Sequence, residues 1–321
     1  MTMEMNEMDK PMLTKEVFVD MYRCHQDWIS SDGRKGKRAV FSDYDLRNMD
    51  FSGHDLARMD FSHTILDGAN FSDAKLLLAD FRGSSLRKAN FSYANLTNAN
   101  FDHADLTHVD FTHCTCMFAS FICADIRHCT LHETNFSNAT MRSADLSNAE
   151  SISSYFCNAD MEEATFYESK FLSCDFSSAK MAKTNFISAN CNESIFCGAS
   201  LYQSNLTDSQ FRHADFSRTN LMESDLAGVN LYQATISADS TKTSESIISY
   251  QGIGKIPHSI TYNATRDEVS LPPSMITPTG KTTMPIDKYM ELPAVKKAPA
   301  LHSLACYLQT IQRGQQTHRG R

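Results

Sequence analysis

The 321-residue sequence predicts an all-β solenoid, in which the chain winds around a filled axis in stacked four-sided coils. A large apolar residue recurs at every fifth position in one register from Phe41 to Ile236, which gives 40 units. A small residue precedes most of these apolar residues by two positions, and Asp or Asn predominates between the two. Only Cys116, Ser151 and Cys191 depart from a large apolar residue at the centre of a unit.

A period of five fits neither an α-helix nor a straight strand. On an α-helix five residues advance a side chain by roughly 140°, so the apolar residues would spread around the whole circumference. On a strand an odd spacing would place alternate apolar residues on opposite faces. A chain that turns a corner once per unit keeps them all inside. Four corners close a coil of twenty residues, which stacks on the next coil through parallel β-bridges.

Several units resemble those of the pentapeptide-repeat family, whose pattern is Ala-(Asp/Asn)-Leu-X-X. They include Ala-Asn-Phe-Ser from Ala69 and Ala89, Ala-Asn-Leu-Thr from Ala94, Ala-Asp-Leu-Thr from Ala104 and Ala-Asp-Leu-Ser from Ala144. The resemblance covers about 196 residues and implies the family's right-handed quadrilateral β-helix. It does not imply one function, because the family's members differ in theirs.

The twenty-residue coil predicts stacked columns of aromatic side chains in the core. One column holds Phe41, Phe61, Phe81, Phe101 and Phe121, and the opposite one holds Phe51, Phe71, Phe91 and Phe111. Beyond residue 130 the aromatic residues change face, and a new column holds Phe136, Phe156, Phe176, Phe196 and Phe216, with Phe166 and Phe186 opposite. Ser151 marks the weakest unit, so a local bulge or a slackened coil is expected there.

The ends predict the domain organisation. Residues 1–38 form an N-terminal segment whose helix, near residues 13–30 with Thr14 as its cap, covers the first coil. Residues 39–238 form a β-helix of about ten coils, and residues 239–270 form a cap that reads as a β-hairpin. Residues 271–321 form a flexible, proline-containing tail with a short amphipathic helix near residues 299–313.

The charge distribution favours a protein that binds other macromolecules. Residues 41–236 contain 25 acidic and 13 basic side chains, so the acidic charge follows the coils. Asp105, Asp125 and Asp145 fall in one column and form the candidate binding surface. The same negative charge repels nucleic acid, so direct binding of nucleic acid is not expected.

Catalysis and cofactor binding are not expected. Coils filled by Leu and Phe leave no concave pocket, and the sequence contains no phosphate loop, nucleophile elbow or metalloprotease motif. A cluster of histidines and cysteines between His103 and His132 suggests a metal site. The coil places Cys114, Cys116 and Cys129 inside, so packing cysteines and surface histidines are the favoured interpretation. The prediction is therefore no catalytic residue, no cofactor and no metal.

Two functions remain open. The resemblance implies the first, since some family members bind DNA gyrase and protect or inhibit it: an acidic, rod-like DNA mimic that modulates gyrase, a topoisomerase or another nucleic-acid enzyme. Acidic faces are also what any solenoid needs in water, so charge alone does not decide. The second is a protein-interaction scaffold or a delivered bacterial or phage effector, whose tail supplies partner binding or localisation. The sequence lacks a signal peptide and a membrane span, which predicts a cytoplasmic protein, and it leaves a homodimer open.

Overall fold

The computed structural model describes residues 11–42, 44–221, 223–226, 229–231, 234–235, 247–250, 260–263, 268–270 and 283–291. The chain divides into two units, residues 1–150 and residues 151–321. In each unit the repeats wind as a right-handed quadrilateral β-helix, which confirms the predicted fold class.

Each side of a coil is joined to the next coil by one parallel β-bridge. The residue before a central apolar residue pairs with the residue twenty positions later, as Asn70 pairs with Asn90. Two hydrogen bonds make this bridge: the Phe71 N–H donates to the Asn90 carbonyl at 2.7 Å, and the Asn90 N–H donates to the Ala69 carbonyl at 3.0 Å. The pattern repeats on all four sides, so the backbone groups of neighbouring coils satisfy one another.

Each corner is a tight turn that explains the polar residues of the repeat. At the corner after Phe71, the Ala74 N–H donates to the Phe71 carbonyl at 3.1 Å, and Asp73 has φ of 57°. A positive φ at the third position of a turn favours Gly, Asn and Asp. The same position has positive φ in unit after unit, for example at Asn98 and His108. A polar residue there faces solvent at the corner.

Aromatic rings fill the axis of the first unit. Phe51, Phe71, Phe91 and Phe111 are fully buried, and their rings stack with centroids 4.8–5.4 Å apart. The column from Phe41 to Phe121 stacks at 4.8–5.2 Å. Rings of the two columns meet edge to face, as Phe81 and Phe91 do at 5.6 Å and 89°. Phe136, also fully buried, meets Phe121 edge-on at 5.6 Å.

The second unit has its own ring columns. Phe156, Phe176, Phe196 and Phe216 stack at 4.8–5.1 Å, and Phe166 stacks on Phe186 at 4.5 Å. The bulge or slackened coil expected at Ser151 is wrong, because the regular hydrogen-bonded pairing between coils continues through this residue. Residues around it form a short strand β1 (Glu150–Ile152), hydrogen-bonded to β2 (Lys170–Leu172). Ser151 is fully buried and its hydroxyl accepts from Cys174 Sγ at 3.4 Å, so a polar contact replaces the missing large side chain.

Helix α1 (Lys15–Ser30) covers the first coil. Its N-cap is Thr14, whose hydroxyl accepts from the Val17 N–H at 3.4 Å, as predicted. Phe18 packs on Phe41 and Phe51, with ring centroids 6.0 and 5.3 Å away. The helix therefore shields the rings that end the aromatic columns, which is the role of a solenoid cap.

Residues 11–13 extend the cap in a way that the sequence did not suggest. Met12 forms a parallel bridge with Asp45, like the bridges that join successive coils. The Leu13 N–H donates to the Asp45 carbonyl at 3.4 Å, and the Asp45 N–H donates to the Pro11 carbonyl at 3.1 Å. Leu13 is buried as a central residue would be. This short segment takes the place of one side of a preceding coil.

His25 fastens α1 to the coil as a neutral imidazole. The ring is fully buried; the Ala39 N–H donates to Nδ1 at 3.1 Å, and Nε2 lies 2.8 Å from the Ala57 carbonyl. Because Nδ1 accepts, the proton must be on Nε2. Burial lowers the pKa of His25, with a smaller lowering by Arg38, against the opposing effects of the Ala57 hydrogen bond and Asp55.

The contribution of His25 to stability is expected to depend on pH. Since its pKa is lower in the folded chain, the unfolded chain takes up the proton first. Stability is therefore full above the ordinary value of about 6.5 and declines as pH falls below it. Trp28, the only tryptophan, stacks on His25 with centroids 5.6 Å apart and reports the change by fluorescence-monitored denaturation between pH 5 and 8. His25→Gln keeps a donor and an acceptor without titrating. An unchanged pH dependence in that variant would contradict the assignment.

The second unit also contains an antiparallel sheet of four strands in the order β3 (Ile247–Tyr250), β4 (Ile260–Asn263), β5 (Glu268–Ser270) and β6 (Thr283–Pro285). Helix α2 (Ile286–Met290) follows β6. The β3–β4 pairing lies within residues 239–270, whereas β6 and α2 lie within residues 271–321, where the sequence predicted a flexible tail. The amphipathic helix predicted near residues 299–313 lies outside the described residues.

Candidate functional site

The three candidate aspartates lie on one ladder of the first unit. The bridges join Ser85, Asp105, Asp125 and Asp145 in sequence, and the side chains of Asp105, Asp125 and Asp145 are 38%, 30% and 42% exposed. We call the side that carries this ladder the Asp105 face; it comprises residues 44–48, 64–68, 84–88, 104–108, 124–128 and 144–148. The structure therefore brings the three carboxylates together in one column.

Arginines neutralise much of the Asp105 face. Arg87 Nε lies 3.2 Å from Asp67 and 3.6 Å from Asp105. Arg127 Nη2 lies 2.6 Å from Asp125, and its Nε lies 3.8 Å from Asp145. Each guanidinium thus spans two carboxylates of different coils. The face presents paired charges to a partner instead of the acidic stripe that the aspartates alone suggested.

The Arg127 pairing also sets protonation on this face. Burial disfavours the charged form of Asp125, but hydrogen bonds from the Arg127 side chain and backbone outweigh it, so the pKa of Asp125 lies below its ordinary value. The hydrogen bond to Asp125 raises the pKa of Arg127. Both groups are charged at neutral pH, and each is already engaged by the other.

The neighbouring side of the first unit has the opposite character. We call it the Asp50 face; it comprises residues 49–53, 69–73, 89–93, 109–113, 129–133 and 149–150. Its ladder runs through Asp50, Asn70, Asn90, Asp110, Thr130 and Glu150. It carries five carboxylates, from Asp50, Asp73, Asp110, Glu133 and Glu150, and no lysine or arginine. All but Asp110 are exposed, so this side carries uncompensated negative charge.

A polar stack lies along one corner of the Asp50 face. Tyr93 is 60% exposed, and its ring stacks on His113 with centroids 4.7 Å apart. His113 Nδ1 lies 3.5 Å from the carboxylate of Glu133. The stack adds an aromatic surface to the acidic side, and tyrosine is one of the residue types that anchor protein interfaces.

The histidine and cysteine cluster separates into two environments. Cys114 and Cys129 are buried, and their thiols donate to the carbonyls of Phe91 and Leu106 at 2.6 and 2.9 Å. Burial raises the pKa of the Cys116 and Cys129 thiols, which keeps them protonated. His108 and His128 stack outside with centroids 4.9 Å apart. Within the described residues, no three His, Cys, Asp or Glu side chains converge on a point that could hold a metal ion.

The Asp50 face is the feature that sequence reasoning missed. Its signal was present: arranging residues 41–150 in columns of twenty and counting basic residues per column would have shown one side without lysine or arginine. The Asp105 column is more conspicuous in the sequence because it holds three consecutive aspartates. The arginines that pair with them stand two positions after the ladder residue, so they lie on the same side.

None of the nine cysteines within the described residues forms a disulfide. No helix in the described part of the chain has the length and apolar character that crossing a membrane requires.

Comparisons with known proteins agree with the fold. Pentapeptide-repeat models match residues 39–76, 78–115 and 119–150, and a pentapeptide-repeat-region model matches residues 152–226. No curated protein sequence matches the chain. One similar solved structure is HetL from the cyanobacterium Nostoc, a pentapeptide repeat protein involved in regulating heterocyst differentiation. It is 23% identical, with a TM-score of 0.47, over 64% of this chain and 90% of HetL.

Two other solved structures are also similar to parts of this chain. QnrB1, a plasmid-mediated fluoroquinolone resistance protein, is 17% identical over 61% of this chain and 89% of its own, with a TM-score of 0.27. A pentapeptide repeat protein from the thylakoid lumen of Arabidopsis thaliana is 37% identical over 32% of this chain and 63% of its own, with a TM-score of 0.24. The family models cover more than half of the chain, in the same register that builds the coils, and the chain therefore belongs to the pentapeptide-repeat family.

Proposed function

We propose that the protein is a non-enzymatic binding protein whose Asp50 face engages a basic groove of a nucleic-acid enzyme as a DNA mimic, with DNA gyrase or another topoisomerase as the partner. The observation that supports this proposal is the absence of lysine and arginine from a described face that carries five carboxylates. Regularly spaced negative charge is what a basic groove recognises in nucleic acid.

The spacing of the carboxylates limits the strength of the mimicry. Ladder residues on successive coils are about 4.8 Å apart, so Asp50 and Glu150 are separated by roughly 24 Å. Five charges over that length fall well below the one charge per about 1.7 Å of duplex DNA. The face therefore needs additional contacts, which the exposed Tyr93 ring offers. Binding should weaken with salt, since the screening length is about 10 Å at 0.1 M.

A gyrase supercoiling assay with two matched variants tests the proposal. The triple variant Asp50→Asn, Asp73→Asn and Asp110→Asn is expected to lose most of the effect of the wild-type protein. The control Asp105→Asn, Asp125→Asn and Asp145→Asn removes the same charge from the Asp105 face and should retain that effect. No effect of the wild-type protein at high micromolar concentration would reject the gyrase proposal. Loss of effect in the control alone would return the site to Asp105, Asp125 and Asp145.

Both variants should preserve the fold, because Asp and Asn make the same backbone hydrogen bonds at these positions of the repeat. A ladder Asp accepts the N–H two residues later, as Asp110 does from Thr112 at 2.9 Å. A ladder Asn makes the same bond, as Asn95 does with Thr97 at 3.1 Å. Asp73 occupies a corner position that Asn98 holds elsewhere with φ of 57°. A change in supercoiling would therefore reflect charge.

A second candidate function is a protein-interaction scaffold or delivered effector. Strand β6 and helix α2 favour it, because they lie beyond residue 270, outside the segment assigned to the cap. We propose the divisions 1–38, 39–238, 239–270 and 271–321, with the last segment supplying partner binding or localisation in the cytoplasm of a bacterium or of a phage-infected cell. Deleting residues 292–321 spares β6 and α2. If residues 292–321 bind the partner or direct localisation, this deletion should abolish partner capture or localisation. If the Asp50 face is the binding surface, the deletion should leave the effect on supercoiling unchanged.

A further inference from the structure

The first coil leaves its Val40 side open for pairing. Val40 bridges to Asp60 on the side of the second coil. Its own N–H and C=O point away from that coil, and no residue in the described part of the chain bonds to them. The Val40 residue is 43% exposed. An exposed bridge position of this kind is a template for another extended chain.

A groove runs beside this open side. It has a volume of about 340 Å³ and is lined by Asp20, Met21 and Cys24 of α1 and by residues 37–40. Met21, Cys24, Ala39 and Val40 make its walls largely apolar. Asp20 lies 3.8 Å from Arg23, and Arg38 lies 3.9 Å from Asp60. The exposed Lys37 has no carboxylate partner within the described residues, so the rim carries one uncompensated positive charge.

The adjacent side of the same coil shows how such a position is filled. There Met12 pairs with Asp45 in the parallel register of the coils, although residues 11–13 are not part of a coil. Two backbone hydrogen bonds and the buried Leu13 side chain hold this segment. The Asp45 side of the first coil thus accepts a separate strand in which an apolar residue directly follows the paired one.

We propose that the groove beside Val40 binds an extended segment of a partner protein, which adds a parallel strand to the first coil. The segment accepts from the Val40 N–H, donates to the Val40 carbonyl and packs an apolar side chain on Met21 and Cys24. It carries a carboxylate that pairs with Lys37. This surface and the Asp50 face are separate, so a failure of one proposal leaves the other standing.

Alkylation of Cys24 in the full-length protein tests the proposal. Cys24 is exposed and lines the groove, whereas Cys123 is exposed elsewhere and serves as an internal reference. The probe is a synthetic peptide, acetyl-Ser-Ala-Asp-Leu-Ser-Asn-amide, which has the small, acidic and apolar order of the repeat. At about five times its dissociation constant it should slow iodoacetamide labelling of Cys24 roughly sixfold, with Cys123 unchanged. Labelling is quantified by mass spectrometry.

Three controls connect protection to the proposed contacts. N-methylation of the peptide Leu removes the donor to the Val40 carbonyl and should abolish protection without altering the protein. Replacing the peptide Asp with Asn, or Lys37→Glu in the protein, should weaken protection by removing the charge pair. Val40→Pro removes the backbone N–H that donates to the peptide and should also weaken protection of Cys24.

Several results would overturn the proposal. One is that the peptide does not protect Cys24, and another is that it protects Cys123 equally. A third is that the N-methylated peptide protects Cys24 as well as the unmodified peptide does. If labelling of Cys24 slowed as the protein concentration rose, the occupant would be a second copy of the chain. If Cys24 were already shielded relative to a free cysteine peptide and the probe added nothing, the occupant would be a segment of this chain.

Discussion

Phe91→Ala is expected to lower the free energy of unfolding by about 3–5 kcal/mol. The Phe91 ring is fully buried and stacks between Phe71 at 4.8 Å and Phe111 at 5.4 Å. It also meets Phe81 and Phe101 edge to face at 5.6 and 5.7 Å. Truncation removes four ring contacts at once. The ladder of hydrogen bonds on every side prevents the coils from collapsing into the cavity.

Chemical denaturation of Phe91→Ala beside Phe118→Ala measures this loss. Phe118 belongs to the same unit but is 53% exposed, so its truncation should change stability by no more than about 0.5 kcal/mol. Because neighbouring coils carry most of each other's stability, hydrogen exchange should show the loss spreading from the coils next to residue 91. Equal losses in the two variants would mean that the axis is not close-packed by rings.

The aromatic core was predictable because it follows from spacing alone. Once a unit of five residues and a coil of twenty are accepted, Phe71 must lie between Phe51 and Phe91. The Thr14 cap was predictable for a similar reason: a threonine before a helical pattern has one local partner within reach, the N–H three residues later.

The contacts of the cap were not predictable from the same rules. Met12 pairs with Asp45, 33 positions away, whereas partners within the coils are 20 positions apart. That distance is not a multiple of the five-residue unit, and Leu13 fits equally well at the start of the helix. The pairing depends on α1 returning the chain to the first coil, which is a tertiary effect.

The candidate surface shows a different limit of sequence reasoning. The position of Asp105, Asp125 and Asp145 in one column was predictable, since ladder positions follow the register. Its charge was not, because a long side chain reaches beyond its own coil: Arg127 lies near carboxylates of two coils. Predicting the net charge of a face therefore requires the residues at all three outward positions of each unit.

Gly36→Ala is expected to lower the free energy of unfolding of the N-terminal cap by about 2–5 kcal/mol, as left-handed backbone strain and steric overlap act together. Gly36 has φ of +70° and lies against α1; a Cβ there would stand 2.0 Å from the Cys24 carbonyl oxygen and 2.7 Å from the Trp28 nitrogen. Both are backbone atoms, so neither can rotate away. The loop must lift from the helix and break the bond from the Lys37 N–H to the Cys24 carbonyl, which measures 3.1 Å.

Gly53→Ala isolates the strain from the overlap. Gly53 has φ of +65°, but nothing lies within 4 Å of the position that its Cβ would take. Asp73 and Tyr93 hold the equivalent corner in the next coils with φ of 57° and 62°, so this variant should lose only about 1–2 kcal/mol. Trp28 fluorescence during denaturation should report the larger loss in Gly36→Ala. Equal losses would show that the left-handed conformation alone, and not the close approach of the loop to α1, requires glycine at position 36.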